Sequence, residues 1–117
     1  MENAAIAREW LRAFNARDLD ALLGLYSEEA VHLSPKLRVK KPETKGEVRG
    51  KPALRAWWQD SFDRLPGLRY EPVTICADAQ RVWMEYLRKA AGEADMMVAE
   101  VLDVKGGKIV ASRVYHG

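Results

Sequence analysis

The sequence predicts an α+β fold in which three helices pack on one face of a curved antiparallel sheet. Apolar residues recur at helical spacing in three segments before residue 66, and the rest of the chain is a run of β-rich segments separated by short turns. Helices followed by hairpin-linked strands are typical of α+β proteins with the helices on one side of the sheet. Such a curved sheet forms a cone, and its open end is a natural ligand cavity.

The spacing of apolar residues predicts three helices. The first spans residues 3–14, and the second begins after Asp18, whose side chain can accept from a free N–H of the first turn. The third begins near Pro52, because proline is favoured in a first helical turn, and it ends before Pro66. Their apolar faces comprise Ile6, Trp10, Ala13 and Phe14; Leu19, Leu22, Leu23 and Tyr26; and Leu54, Trp57, Trp58, Phe62 and Leu65.

Strands are predicted where β-branched and aromatic residues lie between turn signals. The first is short and stops at Pro35, and the turns between the later strands contain glycine or aspartate. The predicted strands span residues 30–34, 69–77, 81–89, 95–104 and 108–116.

Residues 36–51 are rich in lysine and arginine, and their only acidic residues are Glu43 and Glu47. The segment has few apolar residues to bury, so it is predicted to be a loop or an exposed hairpin. It is either a solvated loop or a basic rim that attracts an anionic ligand or partner.

Two tight turns fix the predicted register of the sheet, because a shift of one residue exchanges the two faces of a strand. A two-residue turn at 106–107, which a glycine pair favours, would place Glu100 directly opposite Arg113. A second two-residue turn at 91–92 then aligns the preceding pair of strands. An error of one residue at the glycine pair would instead bring Glu100 beside His116.

The two faces of the sheet that follow from this register are both apolar. The face predicted to meet the helices holds Val82, Met84, Tyr86, Met97, Ala99, Val101, Ser112, Val114 and His116. The other face includes Trp83, Glu85, Glu100 and Arg113, and it is too apolar to face water freely. A homodimer through this outer face is therefore expected, with the charges of Glu100 and Arg113 paired at the interface.

The composition excludes several classes of protein. The 117 residues are expected to form a single domain, residues 1–117, and 19 basic against 17 acidic residues argue against nucleic-acid binding. Cys76 is the only cysteine, so no internal disulfide is expected, and His32 and His116 do not combine with it at metal-ligand spacing. No apolar run has the length of a signal peptide or a membrane span, so we expect a cytoplasmic protein without membrane contact, metal or cofactor.

Three segments, NARDLDALLGLYSEEAV, VRGKPALRAWW and GKIVASRVYHG, resemble the SnoaL-like branch of the nuclear transport factor 2-like superfamily. The resemblance follows the order of the family along nearly the whole chain. It implies a cone-shaped, cystatin-like half-barrel that is usually a homodimer through the outer faces of its sheets. It also implies a pocket lined by Ser112, Val114 and His116, which agrees with the predicted inner face.

The resemblance does not carry a particular reaction to this chain. Ketosteroid isomerases of the superfamily need a base and two donors around an enolate oxygen. At the position of their donor tyrosine this chain has Trp10, and at the position of their base it has Ser34. Their donor aspartate falls on Ala99, or on Glu100 if the final turn is gapped, and the aspartate of limonene epoxide hydrolases falls on Val114. Neither reaction is therefore expected, and the pocket acid of SnoaL-type polyketide cyclases has no counterpart on the predicted inner face.

His32 and His116 are the candidate general acid–base residues, because an imidazole titrates near neutral pH. The alternative is that each is an edge histidine that makes a single hydrogen bond. Tyr86 and Trp10 have polar tips that could orient a ligand. The expected pocket comprises Trp10, Phe14, Ser34, Trp58, Met84, Tyr86, Met97, Ala99, Ser112 and Val114.

Three functions remain open on the sequence alone. The first is the binding of a small, largely apolar molecule in the cone, with acid–base chemistry in an enzymatic version. The second is a non-catalytic dimeric module with a structural or accessory role. The third is recognition of an anionic partner by the basic residues of 36–51. The sequence does not identify the ligand or the reaction.

Overall fold

The computed structural model describes residues 2–116 and confirms the α+β class, with helices packed in the concave face of a curved sheet. A single turn of 3-10 helix, Pro42–Thr44, joins the third helix to the second strand. The helices are α1 (Asn3–Asn15), α2 (Leu19–Gly24), α3 (Pro35–Lys40) and α4 (Lys51–Arg64), and the strands are β1 (Tyr26–Leu33), β2 (Glu47–Arg49), β3 (Arg69–Ala77), β4 (Arg81–Lys89), β5 (Met96–Lys105) and β6 (Lys108–His116).

The sheet has six strands in the order β2-β1-β6-β5-β4-β3 and does not close into a full barrel. Neighbouring strands are antiparallel except β1 and β6, which are parallel, so the sheet is mixed and not wholly antiparallel as predicted. Strands β3 to β6 form an antiparallel meander that starts at the far edge of the sheet. Its last strand, β6, lies beside β1 and runs in the same direction as β1.

A stack of aromatic rings fills the narrow end of the cone between α1 and the strands β3 and β4. Phe14 lies 5.3 Å from Trp10 and 4.0 Å from Tyr70, measured between ring centroids, and Tyr70 lies 4.1 Å from Tyr86. Trp10, Phe14 and Tyr86 are each only 1% exposed. Burial of aromatic rings in such pairs is a large favourable contribution to folding, and it closes this end of the cone to water.

The short elements at the start of the sheet differ from the prediction. Tyr26 does not belong to α2 but opens β1, because α2 ends at Gly24, a poor helix former, and an aromatic residue is favoured in a strand. Strand β1 is accordingly longer than the predicted strand at 30–34. Within residues 2–116, no helix has both the length and the apolar character needed to cross a lipid bilayer.

The basic segment is more ordered than the predicted loop or hairpin. Ser34 caps α3 by accepting from the Leu37 N–H, and Pro35 occupies the first helical position. The chain then reverses at Gly46, which has a φ of +77°, and enters β2. A Cβ at Gly46 would lie 2.8 Å from the Ser34 carbonyl oxygen, so glycine is needed both for the backbone angle and for the close approach.

The predicted register of β5 and β6 is wrong by one residue. The turn at 106–107 has two residues as predicted, but the pairing shifts between Asp103 and Val104. Val110 is the extra residue of a bulge in β6, so Glu100 lies opposite Val114 and not opposite Arg113. The local sequence around the bulge contains no glycine that would have indicated it.

The predicted register of β4 and β5 is also wrong by one residue. Their connection spans residues 90–95 instead of two, and Tyr86 consequently lies opposite Val98 and not Met97. Because alternate residues face opposite sides of a strand, Met97 and Ala99 lie on the outer face and do not contribute to a pocket as predicted. Val101, also predicted to face inward, lies on the outer face with them.

The predicted interface residues are divided between the two faces. Trp83 and Glu85 are exposed on the outer face of β4. Glu100 is predicted beside them but points into the cone, because the longer connection at 90–95 shifts β5 by one residue against β4 and the bulge shifts β6 to match. The partner of Arg113 is Asp103, at 2.6 Å between Nη1 and Oδ2, so the predicted Glu100–Arg113 pair does not form.

Candidate functional site

A cavity of about 800 Å³ opens between α4, α3 and the concave face of the sheet. Its volume lies in the range of small-molecule sites. Aromatic residues form the floor and walls, and basic residues surround the mouth. The principal lining residues are Trp10, His32, Ser34, Trp57, Trp58, Tyr70, Tyr86, Val98, Glu100, Val114 and His116, with Lys36, Lys40, Lys41, Arg49, Arg64 and Arg88 at the mouth.

The structure separates the residues predicted to line the pocket into three groups. Phe14, Met84 and Ser112 are buried in the core beside the cavity. Met97 and Ala99 lie on the outer face of the sheet, as described above. The remaining residues line the cavity: Trp10, His32, Ser34, Trp58, Tyr86, Val114 and His116.

Glu100, in the middle of β5, is the buried carboxyl group among the residues that line the cavity. Its side chain is 1% exposed, and its Oε1 accepts a hydrogen bond of 2.7 Å from the Tyr86 hydroxyl. Its Oε2 is buried without a hydrogen-bond partner among the described residues. Burial raises the pKa of Glu100 to about 8, and the hydrogen bond from Tyr86 only partly opposes this shift. At neutral pH the group is therefore mainly a neutral carboxylic acid.

Tyr86 and Tyr70 provide the aromatic surroundings of this acid. Burial and the nearby Glu100 charge both raise the pKa of each phenol above its ordinary value. Both tyrosines therefore stay protonated, and the Tyr86 hydroxyl acts as a donor. Trp10 stacks on Tyr86 with ring centroids 6.3 Å apart, which fixes the plane of the phenol.

His32, on β1, ends a chain of buried hydrogen bonds. The Trp10 indole N–H donates to the Tyr26 hydroxyl at 3.0 Å, and that hydroxyl donates to Ser112 Oγ at 3.1 Å. Ser112 Oγ lies 2.7 Å from His32 Nδ1. An indole can only donate, and in the arrangement where each hydroxyl accepts on one side and donates on the other along the chain, His32 Nδ1 accepts from Ser112; we assign this direction. The hydrogen of the neutral ring is then on Nε2.

The environment keeps the His32 ring neutral. Its side chain is 3% exposed, and burial lowers its pKa to about 4. A neutral imidazole with an occupied Nδ1 is a poor base. What it offers the cavity is the Nε2–H, a hydrogen-bond donor whose direction is fixed by the chain from Trp10.

His116 occupies a different environment at the mouth of the cavity. It is exposed at the end of β6, opposite Val98. Partial burial and the charges of Lys36 and Arg88 lower its pKa. It is therefore mainly neutral at pH 7 and can accept a proton.

The described side chains that could be metal ligands are not arranged as in a metal site. Within residues 2–116, no three His, Cys, Asp or Glu side chains lie close enough together to hold a metal ion. Cys76 is exposed on β3, away from the residues that line the cavity.

Sequence reasoning missed Glu100, Tyr70 and Arg88 as lining residues. Tyr26, which relays the hydrogen bonds to His32, lies on β1 and not on the predicted second helix. The one signal for Glu100 was that it is the only charged residue in the apolar run MMVAEVL of β5. A lone acid in such a run occupies either the interior or an interface, and the register decides between them.

Solved structures share this architecture. A SnoaL-like protein of unknown function from Burkholderia thailandensis has a TM-score of 0.85 at 28% identity, over 97% of this chain and 92% of that one. A cystatin-fold protein from Novosphingobium aromaticivorans has a TM-score of 0.83 at 20% identity, over 98% of each chain. A candidate polyketide cyclase from Sinorhizobium meliloti has a TM-score of 0.81 at 16% identity, over 95% of this chain and 94% of that one.

The sequence itself carries the family assignment. No curated protein sequence matches the chain at a significant level. The SnoaL-like domain family matches residues 7–112, which are most of the chain and include all six strands at least in part. The resemblance predicted from the three sequence segments is confirmed, and the chain belongs to the SnoaL-like domain family.

Proposed function

We propose that the cavity binds a small, largely apolar carbonyl compound and catalyses proton transfer on it. The observation that carries this proposal is Glu100, a carboxyl group in an aromatic cavity with one oxygen that has no partner among the described residues. Burying such a group costs several kcal/mol by order of magnitude unless it is satisfied. A ligand oxygen in the cavity would satisfy it.

His32, on the other side of β6, also supports the binding of a ligand oxygen in the cavity. Ser112 pairs with His32 on β1, and Val114 pairs with Glu100 on β5, so the two polar groups flank β6 on its inner face. The strands β1 and β5 are two spacings apart, roughly 10 Å. A small molecule between them can accept from the Glu100 carboxyl and from the His32 Nε2–H.

The chemistry proposed for these groups is enolisation. Two donors on a carbonyl oxygen stabilise the negative charge that develops there when the adjacent carbon loses a proton. His116, a neutral imidazole at the mouth, is the proposed base that takes this proton. Glu100 has a pKa near the working pH, so it can both give a proton to the oxygen and take it back.

The likeness to a candidate polyketide cyclase is compatible with this proposal, because a polyketide presents several carbonyl groups. At 16% identity that likeness bears on the fold alone. The reaction assigned to this chain therefore rests on the residues of its own cavity.

Deuterium exchange tests proton transfer without knowledge of the product. A panel of aromatic and alicyclic ketones is incubated with the protein in D2O, and deuterium at the carbon beside the carbonyl is measured by mass spectrometry. We expect Glu100→Gln and His116→Ala to reduce exchange by about 10²-fold or more. The matched control, Glu85→Gln on the outer face, should leave exchange unchanged. Exchange at the buffer rate with every ketone that binds would refute the catalytic proposal.

A second candidate, a dimeric module, is favoured by the outer face of the sheet. Trp83, Met97 and Tyr115 are 52%, 41% and 53% exposed on three adjacent strands. An apolar patch of this kind marks an interaction surface, and a second copy of the chain is the proposed occupant. A dimer is compatible with catalysis. It would be the whole function only if native mass spectrometry found no small-molecule adduct and no ketone bound.

A further inference from the structure

The mouth of the cavity gathers basic side chains from four elements of the fold. Lys36 comes from α3, Arg64 from the end of α4, Arg88 from the end of β4 and His116 from the end of β6. Lys40, on the next turn of α3, lines the same cavity. These residues are far apart in the sequence, so their convergence is a property of the folded cavity and not of the basic segment alone.

The charges at the mouth are not balanced within the described chain. Arg88 pairs with Glu93 at 2.9 Å and Arg64 with Asp60 at 2.8 Å. Lys36 has no carboxylate within ion-pair distance among residues 2–116. Lys40 and Lys41 beside it also form no ion pair within that part of the chain. The mouth therefore carries an excess of cations over carboxylates.

Arg88 is the buried member of this group. Its side chain is 8% exposed, and its only hydrogen bond within residues 2–116 joins Nη1 to Glu93 Oε1. A guanidinium has five N–H donors, so Nε and Nη2 remain available to a group in the cavity that Arg88 lines. Neither nitrogen belongs to the fully buried polar atoms without a partner, so solvent reaches both of them and a ligand in the cavity could take the place of that water.

Like charges repel one another at this position. Burial, and after it the charges of Arg88 and Lys40, lower the pKa of Lys36. Burial, and after it the charges of Lys36 and Arg88, also lower the pKa of His116. Glu93 is the carboxylate that opposes the shift at Lys36. A bound anion would remove this repulsion and would leave the lysine and the imidazole more basic.

We infer that the ligand is an amphipathic organic acid, whose apolar body occupies the aromatic cavity and whose carboxylate lies at the mouth between Lys36, Arg88 and His116. This inference rests on the proposed function, since it specifies the class of molecule that the same cavity takes. A small acid fits better than an acidic protein, because Arg88 is only 8% exposed and lines the cavity.

Matched pairs of acids and amides test the inference. The probes are benzoic, 2-naphthoic and biphenyl-4-carboxylic acid, each with its primary amide, which has the same body without the charge. Trp57 and Trp58 line the cavity, so quenching of tryptophan fluorescence reports binding of either compound. We expect the best acid to bind about tenfold more tightly than its amide in low salt, and the ratio to fall as salt is added.

Two lysine variants distinguish the effect of charge at the mouth from the effect of the protein's net charge on the binding of an acid. Lys36→Gln should reduce the acid-to-amide ratio about threefold or more and leave amide affinity unchanged. Lys45→Gln is the matched control, because Lys45 belongs to the same basic segment but does not line the cavity. It should leave the ratio unchanged.

The outcomes distinguish this inference from the function on which it rests. Equal affinity for acid and amide, with no effect of salt or of Lys36→Gln, overturns the inference and leaves the cavity as a site for neutral molecules. Equal effects of Lys36→Gln and Lys45→Gln also overturn it, since attraction would then come from net charge. Failure of every acid and every amide to bind, while ketones of the exchange panel do bind, also overturns the inference alone. Failure of the ketones to bind as well overturns the proposed function itself.

Discussion

The Tyr86 hydroxyl donates a hydrogen bond of 2.7 Å to Oε1 of Glu100, and both side chains are buried at the inner end of the cavity. The phenol is held by ring stacking, so the carboxyl group is held as well. A buried acid in a fixed position, with a pKa near 8, is the arrangement expected of a group that exchanges protons with a ligand. Its protonation also makes the stability of the protein depend on pH.

The first prediction concerns the alkaline side of the stability profile. The folded-state pKa of Glu100 is raised from 4.5 to about 8, so between these values the unfolded chain is ionised while the folded protein keeps the proton. Stability should therefore fall as pH rises from about 4.5 to 8, by roughly 3–5 kcal/mol at most from this group. Glu100→Gln should remove most of this slope. Urea unfolding at several pH values measures it, and an equal slope in both proteins would contradict the prediction.

The second prediction concerns the acid side. The folded-state pKa of His32 is lowered from 6.5 to about 4, so below pH 6.5 the unfolded chain takes up a proton that the folded protein does not. His32 should therefore not lower the free energy of unfolding above pH 6.5, and it should lower it by about 3 kcal/mol once the pH is below 4. His32→Asn, whose carbonyl can still accept from Ser112, should show a weaker loss in acid unfolding curves. Acid unfolding curves that coincide for the two proteins would show that the His32 ring keeps its ordinary pKa in the folded protein.

The third prediction concerns the direction of the hydrogen-bond chain that begins at Trp10. If His32 Nδ1 accepts from Ser112, the ¹⁵N shifts of the ring at pH 7 should be those of a neutral imidazole with hydrogen on Nε2. Ser112→Ala should disturb this assignment and destabilise the protein by about 1–3 kcal/mol, because Tyr26 then loses its acceptor. A ring that carries its hydrogen on Nδ1 in the unaltered protein would refute the derived direction.

The fourth prediction concerns the outer face. Trp83→Arg places a charge in the proposed interface and should convert a dimer to a monomer in light scattering, with the far-ultraviolet circular dichroism unchanged. Val39→Arg is the matched control, because Val39 is 81% exposed on α3 and lies away from this face. A wild-type protein that stays monomeric at high concentration would contradict the proposed dimer.

Local sequence was sufficient for the larger elements. The positions of α1, α4 and the last four strands follow from apolar spacing and from turn residues, which act over a few neighbours. The short helix α3 was not predicted, because its basic residues offer no apolar face. It forms through the cap at Ser34 and the proline that follows, and these outweigh the lack of buried area.

The site was only partly predictable for a different reason. His32, His116 and Tyr86 could be placed near the cavity from strand order and alternation, but Glu100 depended on register. Register is a long-range property, because it depends on how two strands align over their whole length. Neither the bulge at Val110, in a strand of ordinary β-forming residues, nor the longer connection at 90–95 has a local signature, and together they place the key carboxyl on the inner face and not on the predicted outer face.

The same bulge has a consequence for how proteins of this architecture diverge. Insertion or loss of a single residue at the bulge exchanges which of the later β6 side chains face the cavity and which face outward, while β5 keeps the orientation set by its pairing with β4. A change of length at position 110 can therefore exchange Ser112, Val114 and His116 for Ala111, Arg113 and Tyr115 on the inner face in one step. Relatives aligned without a gap there would pair an inner side chain of β6 with one from the outer face, and a comparison of their sites by position alone would be misleading.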